Sequence, residues 1–72
     1  MVILLKIIFR LYEHRVNAGL STMRLAELSG VSKSQINYIE NGQSNPTVLV
    51  ICMLAEALGK EPSELFYIDR GE

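Results

Sequence analysis

The sequence predicts an all-α fold, and three features predict it. Apolar residues recur at helical spacing in successive stretches of the chain. Between those stretches stand residues that start helices, Ser21, Ser32 and Thr47, and glycines that stop them, Gly30, Gly42 and Gly59. Finally, 49% of the 72 residues are hydrophobic, which suits a packed core and argues against disorder. That length leaves room for one domain, residues 1–72, whose core is marginal unless oligomerisation helps it.

Residues 1–9, MVILLKIIF, form the most apolar stretch. It is too short to span a bilayer, has no basic region ahead of it and no small-residue cleavage site behind it, so it is expected to be folded and not a targeting segment. A helix over 6–18 puts Ile7, Ile8, Leu11, Arg15 and Ala18 in one arc, with Arg10, Glu13 and Asn17 opposite. Residues 1–5 then remain as an extended apolar arm. Arg15 lies in the middle of the apolar arc, where a buried guanidinium needs a carboxylate; the alternative is that it reaches out to water.

A second helix runs from about Thr22 to Ser29, capped by Ser21, with Leu25, Ala26 and Ser29 inward. Ser29, Gly30 and Val31 make a tight turn, in which Gly30 takes positive φ and Val31 plugs the angle between helices. Ser32, with Gln35 three residues on, forms a capping box for a third helix starting near Lys33. Ile36, Ile39 and Glu40 fall on its packing side, while Lys33, Ser34, Asn37, Tyr38 and Asn41 share the free side. Gly42 ends it. Glu40, on the inner edge, is the obvious partner for Arg15.

The loop 41–46, NGQSNP, is polar and turn-forming. A fourth helix starts near Thr47 and ends before Gly59. Val48, Ile51, Cys52, Leu54, Ala55 and Leu58 share a core face, but Leu49, Val50, Met53 and Ala57 cover much of the opposite side. A helix apolar nearly all round is covered on both sides. The second cover is either another copy of the chain or one of its own terminal arms. A last turn, 62–66, opens with Pro62, and Phe66, Tyr67 and Ile68 then form a short extended piece able to pair with 2–5, within one chain or between two.

The net charge is −1, from seven basic and eight acidic residues, so there is no general basic excess to hold a polyanion. One cysteine, Cys52, excludes an internal disulfide framework and fits a reducing cytoplasm. It has no Cys or His companions for a metal set and reads as packing. The single histidine, His14, has no nucleophile or carboxylate pair at useful spacing and reads as solvated surface. An enzyme is not expected, and no cofactor is implied.

The run LAELSGVSKSQINYIENG, followed by NPT and LAEALGKEPSELF, resembles the helix-turn-helix domain of the lambda repressor and Cro (XRE) family of bacterial and phage regulators. The similarity spans roughly residues 10–66, with the helix-turn-helix core at 21–41. It implies a compact bundle of about five helices of the lambda-repressor type, with short terminal arms, whose third helix enters the DNA major groove. It also puts an Arg and Glu pair at Arg15 and Glu40. Bases would be met by Lys33, Ser34, Asn37 and Tyr38, against the plainer reading of these residues as solvated helix surface. Thr22 and Ser32, at helix starts, would meet the DNA backbone. So would Gln43 and Asn45, in a loop where similar proteins often carry Lys or Arg.

The expectation is therefore a sequence-specific regulator of transcription, read as a repressor, binding a double-stranded operator as a cytoplasmic homodimer through Leu49, Val50, Met53 and Ala57. RNA polymerase or another regulator is a further possible partner, and no membrane is expected. The near-neutral charge keeps a second reading open: a protein-interaction module on the same scaffold, such as an antitoxin-like or regulator-binding protein.

Overall fold

The computed structural model describes residues 5–71. In chain order the elements are β1 (Lys6–Phe9), α1 (Leu11–Asn17), α2 (Thr22–Ser29), α3 (Lys33–Glu40), α4 (Val48–Leu58), a one-turn 3-10 helix (Pro62–Leu65) and β2 (Phe66–Asp69). The mostly helical class holds. Among the described residues there are four α-helices, and the 3-10 turn stands where a fifth was expected.

The expected first helix divides in two. Its first part, Lys6–Phe9, is a strand paired antiparallel with Phe66–Asp69, in the register Lys6↔Asp69, Ile7↔Ile68, Ile8↔Tyr67 and Phe9↔Phe66. Ile7, Ile8 and Phe9 are β-branched or aromatic, types that favour a pleated surface, and the partner strand tips the balance. The expected pairing of residues 2–5 with the C-terminal piece is thus shifted towards the core, and residues 2–4 lie outside the described part. The Arg10 amide continues the ladder by donating to the Leu65 carbonyl at 2.7 Å. At the root of this ribbon the Phe9 and Phe66 ring centroids lie 6.5 Å apart, tilted by 55°.

The core is made of Leu11, Leu25, Val31, Ile36, Ile39, Leu54, Ala55 and Leu65, each at most 4% exposed. Every α-helix and the 3-10 turn contributes at least one of these residues. Each large side chain buried in this way is worth about 1.5 to 3 kcal/mol of transfer free energy. Ala18, expected in the inner arc of α1, follows the helix and is exposed.

Local capping defines the helix starts. Ser21 Oγ accepts from the Arg24 amide at 3.0 Å, Ser32 Oγ from the Gln35 amide at 3.1 Å, and Thr47 Oγ1 from the Val50 amide at 3.2 Å. The reciprocal, two-bond capping box forms elsewhere, between Glu61 and Glu64 at the 3-10 turn. Helix α3 ends in a Schellman turn: the Gly42 amide donates to the Ile39 carbonyl and the Gln43 amide to the Tyr38 carbonyl, with Gly42 at φ +72°.

The two faces of α4 are those expected only in part: Leu54 and Ala55 are buried, Ile51 and Leu58 pack against the core, and Leu49 of the outer stripe is exposed. Val48, assigned to the core, is 76% exposed, and Leu49 is 68% exposed. Both stand in the first turn of the helix, beyond the edge of the packed layer. Val50, Met53 and Ala57, assigned to the outer stripe, are half-buried and pack against the core. A helical wheel gives the angle of each side chain but not how far along the axis the neighbouring helices reach, and the neighbours decide these cases.

Candidate nucleic-acid interface

The pair α2 and α3 is joined by three residues that make a closed turn. Gly30, at φ +77°, donates to the Ala26 carbonyl at 2.9 Å, and the Val31 amide is bound by Ser29 Oγ at 3.1 Å. A side chain at Gly30 would be strained by that φ and would meet Met53 Cε at 3.4 Å. Val31, 4% exposed, fills the angle between the helices.

Helix α3 has sharply different sides. Ile36 and Ile39 are 0% and 2% exposed, whereas Lys33, Ser34, Asn37 and Tyr38 are all exposed and share the opposite side. These four present an ammonium, a hydroxyl, a carboxamide and a phenol together on one rigid helix. Thr22, half-buried, is the first residue of α2. Ser32 is exposed, and because its oxygen already accepts from Gln35, only its hydroxyl proton is left to give outward. Gln43 and Asn45 are exposed in the loop after α3, and the Gln43 amide is taken up by the Schellman turn, which leaves its side chain as the donor.

The inner end of α3 is tied to α1. Arg15 Nε donates to Glu40 Oε2 at 2.7 Å, Nη2 donates to Oε1 at 3.0 Å, and Nη1 donates to the Leu20 carbonyl at 2.8 Å. The two side chains are only 12% and 8% exposed. Hydrogen bonding to Glu40 raises the Arg15 pKa above its ordinary value. The Tyr12 ring covers the guanidinium, with 5.3 Å from Cζ to the ring centroid. All three guanidinium nitrogens are therefore engaged, as a buried cation requires.

The charge inventory around this surface is sparse. Arg10 pairs with Glu13 at 2.9 Å and Arg24 with Glu27 at 3.4 Å, both exposed pairs within one helical turn. The bond from Arg10 holds the Glu13 carboxyl below its ordinary range. Among the described residues Lys6, Lys33, Lys60 and Arg70 enter no ion pair, so Lys33 is the free cation on α2 and α3.

A groove runs between α2 and α4, lined by Leu28, Ser29, Cys52, Met53, Glu56 and Ala57. Leu28, 48% exposed, forms its apolar rim on α2. Sequence reasoning misses it; the available signal is that it is apolar yet lies off the inner arc of α2. His14 is not the free surface residue expected: it is half-buried, and its Nε2–H donates to the Glu64 carbonyl at 2.9 Å, tying α1 to the 3-10 turn.

Two capped helices around a glycine turn, with a wet polar face on the second, define a helix-turn-helix regulator fold. Comparison with known proteins agrees. The HTH_3 helix-turn-helix family matches residues 11–65, and the chain belongs to that family. It is 38% identical over 56 residues to an uncharacterized HTH-type transcriptional regulator of Methanothermobacter thermautotrophicus, covering 78% of this chain and 81% of that protein. It is 40% identical over 57 residues to the HTH-type transcriptional regulator PuuR of Escherichia coli, covering 79% of this chain but only 31% of PuuR. Among solved structures it resembles the restriction-modification controller protein C.AhdI of Aeromonas hydrophila, with a TM-score of 0.76 and 47% identity over 79% of this chain and 86% of that one. An HTH_3 family transcriptional regulator of Vibrio cholerae superposes with a TM-score of 0.71 at 38% identity, covering 74% of this chain and 30% of that one.

Proposed function

We propose that the chain is a transcriptional regulator that binds a specific double-stranded DNA site as a homodimer and represses by occupying it. The observation that carries this reading is the exposed face of α3, opposite two fully packed isoleucines. An α-helix fits the major groove, where each base pair shows a distinct set of donors and acceptors. Lys33 can donate to guanine O6 and N7, Asn37 can pair bidentately with adenine, Ser34 can serve either kind of edge, and Tyr38 can reach a thymine methyl or a phosphate. Each well-placed pairing is worth about 1 to 3 kcal/mol of discrimination. Thr22, the Ser32 hydroxyl, Gln43 and Asn45 set register against the backbone.

With a net charge of −1, one copy holds DNA weakly, so two copies are needed. A dimer formed through Leu49, Val50, Met53 and Ala57, with Leu28 completing the patch, presents two α3 helices to half-sites about 34 Å apart. Occupancy then follows protein concentration, and a site overlapping a promoter excludes RNA polymerase. The place of action is the cytoplasm.

Selection of bound sequences from a random duplex pool, combined with light-scattering mass, tests both parts. The expected result is a dimer that enriches a near-palindromic site. A monomer that enriches nothing overturns the proposal. The near-neutral charge favours one competing reading, a protein-interaction module on this scaffold, and an intact dimer that binds no duplex even at low salt would support it.

A further inference from the structure

We infer that Lys6 is a further phosphate-contacting residue, held by the β1–β2 ribbon beside the loop that follows α3. The inference rests on the proposed DNA binding and extends it to a part of the chain that the family match does not include. That match runs over residues 11–65, while the strands occupy Lys6–Phe9 and Phe66–Asp69, one on each side of it.

The ribbon is anchored at its root. Phe9 packs against the core, and the Arg10 amide donates to the Leu65 carbonyl at 2.7 Å. Lys6 therefore projects from an ordered ladder and not from a free arm. Side chains alternate along a strand, so Lys6 and Ile8 share one side and Ile7 and Phe9 the other. A cleft runs beside β1, with Lys6 on one wall and Asn41, Gly42, Ser44 and Asn45 on the other. Those loop residues directly follow the helix proposed to enter the groove.

The charges around the cleft leave Lys6 available. Glu40 is the carboxylate in its lining, and both of its oxygens are held by Arg15. Asp69 stands opposite Lys6 in the ladder, and the two form no ion pair. Lys33 opens α3 and Lys6 lies beyond its other end. A helix of eight residues is about 12 Å long, so the cleft that holds Lys6 is set apart from Lys33, the proposed base reader, and borders the loop whose Asn45 is proposed to meet the DNA backbone. In a chain where three of the seven basic side chains are bound to carboxylates, one further free cation is a large part of the phosphate-binding capacity.

Anisotropy titrations of the full chain, on its selected duplex and on a scrambled duplex across a range of salt, test this. Lys6→Gln is expected to weaken both duplexes by the same factor and to lower the slope of log K against log salt by about 0.9 for each protomer bound. Lys6→Arg should restore the slope. Asp69→Asn, which alters the same ladder without removing a cation, should leave it at the wild-type value. Far-ultraviolet circular dichroism verifies that each variant keeps its fold. An unchanged slope in Lys6→Gln, or an equal loss in Asp69→Asn, overturns the inference. Failure of the wild type to prefer one duplex would instead overturn sequence reading by α3, with the Lys6 slope still measurable on either duplex.

Discussion

Arg15 grips Glu40 with two parallel hydrogen bonds of 2.7 and 3.0 Å, joining α1 to the last residue of α3. The pair is nearly dry, so losing one member strands the other's charge away from water. Arg15→Ala or Glu40→Ala is expected to cost about 3 to 5 kcal/mol, enough to unfold much of so small a domain. The milder Glu40→Gln keeps the shape and removes the charge. A urea-denaturation cycle over Arg15→Gln, Glu40→Gln and the double variant should show coupling of about 0.5 to 3 kcal/mol. Additive losses would mean that the two side chains do not support each other.

Base readers and backbone anchors respond differently to truncation. Asn37→Ala should relax preference at one base position, at a cost of about 1 to 3 kcal/mol for the cognate base, and leave other positions as they were. Thr22→Ala should weaken all sequences alike. Binding profiles over a set of single-base operator variants separate the two patterns, and a uniform loss in both mutants would refute the assignment.

The stripe of Leu49, Val50, Met53 and Ala57 on α4 is the proposed seat of dimerisation. Leu49→Glu adds a charge at a position 68% exposed in the single chain, so it should barely change the stability of the monomer fold. Light scattering should find the variant monomeric, and operator affinity should fall with the dimer. A Leu49→Glu protein that remains dimeric would put the interface elsewhere.

Gly42 is expected to tolerate no side chain without cost, although a methyl group added there would meet nothing within 4 Å. The penalty comes from φ +72° alone, about 1 to 2 kcal/mol for alanine. In a domain of this size that lowers Tm by roughly 4 to 8 °C for each kcal/mol. Calorimetry of Gly42→Ala provides the check; an unchanged Tm would show that the Schellman turn can be replaced by another helix end at no cost.

Much of the fold is legible in the sequence because its signals are short-range. The bounds of α2, α3 and α4 follow from caps and stops within a few residues of each helix end: Ser21 with Arg24, Ser32 with Gln35, Thr47 with Val50, and Gly42 with Ile39. The two sides of α3 follow from the helical repeat. The expectation of helix over 6–9 fails for a clear reason: Ile7, Ile8 and Leu11 fit a helical arc, and nothing nearby reveals that Phe66–Asp69 is waiting as a partner. His14 escapes sequence reasoning for the same reason, since the carbonyl it binds lies 50 positions away.

The amino-acid order alone thus determined the helix-turn-helix unit, its caps and which side of α3 is polar, because those depend on hydrogen bonds and periodicity inside a few consecutive residues. Tertiary structure decided the β ribbon, the exposure of Val48, the apolar rim at Leu28 and the place of Lys6 beside the loop after α3. Each of these depends on segments distant in sequence coming into contact, and the free energy of that contact belongs to neither segment by itself.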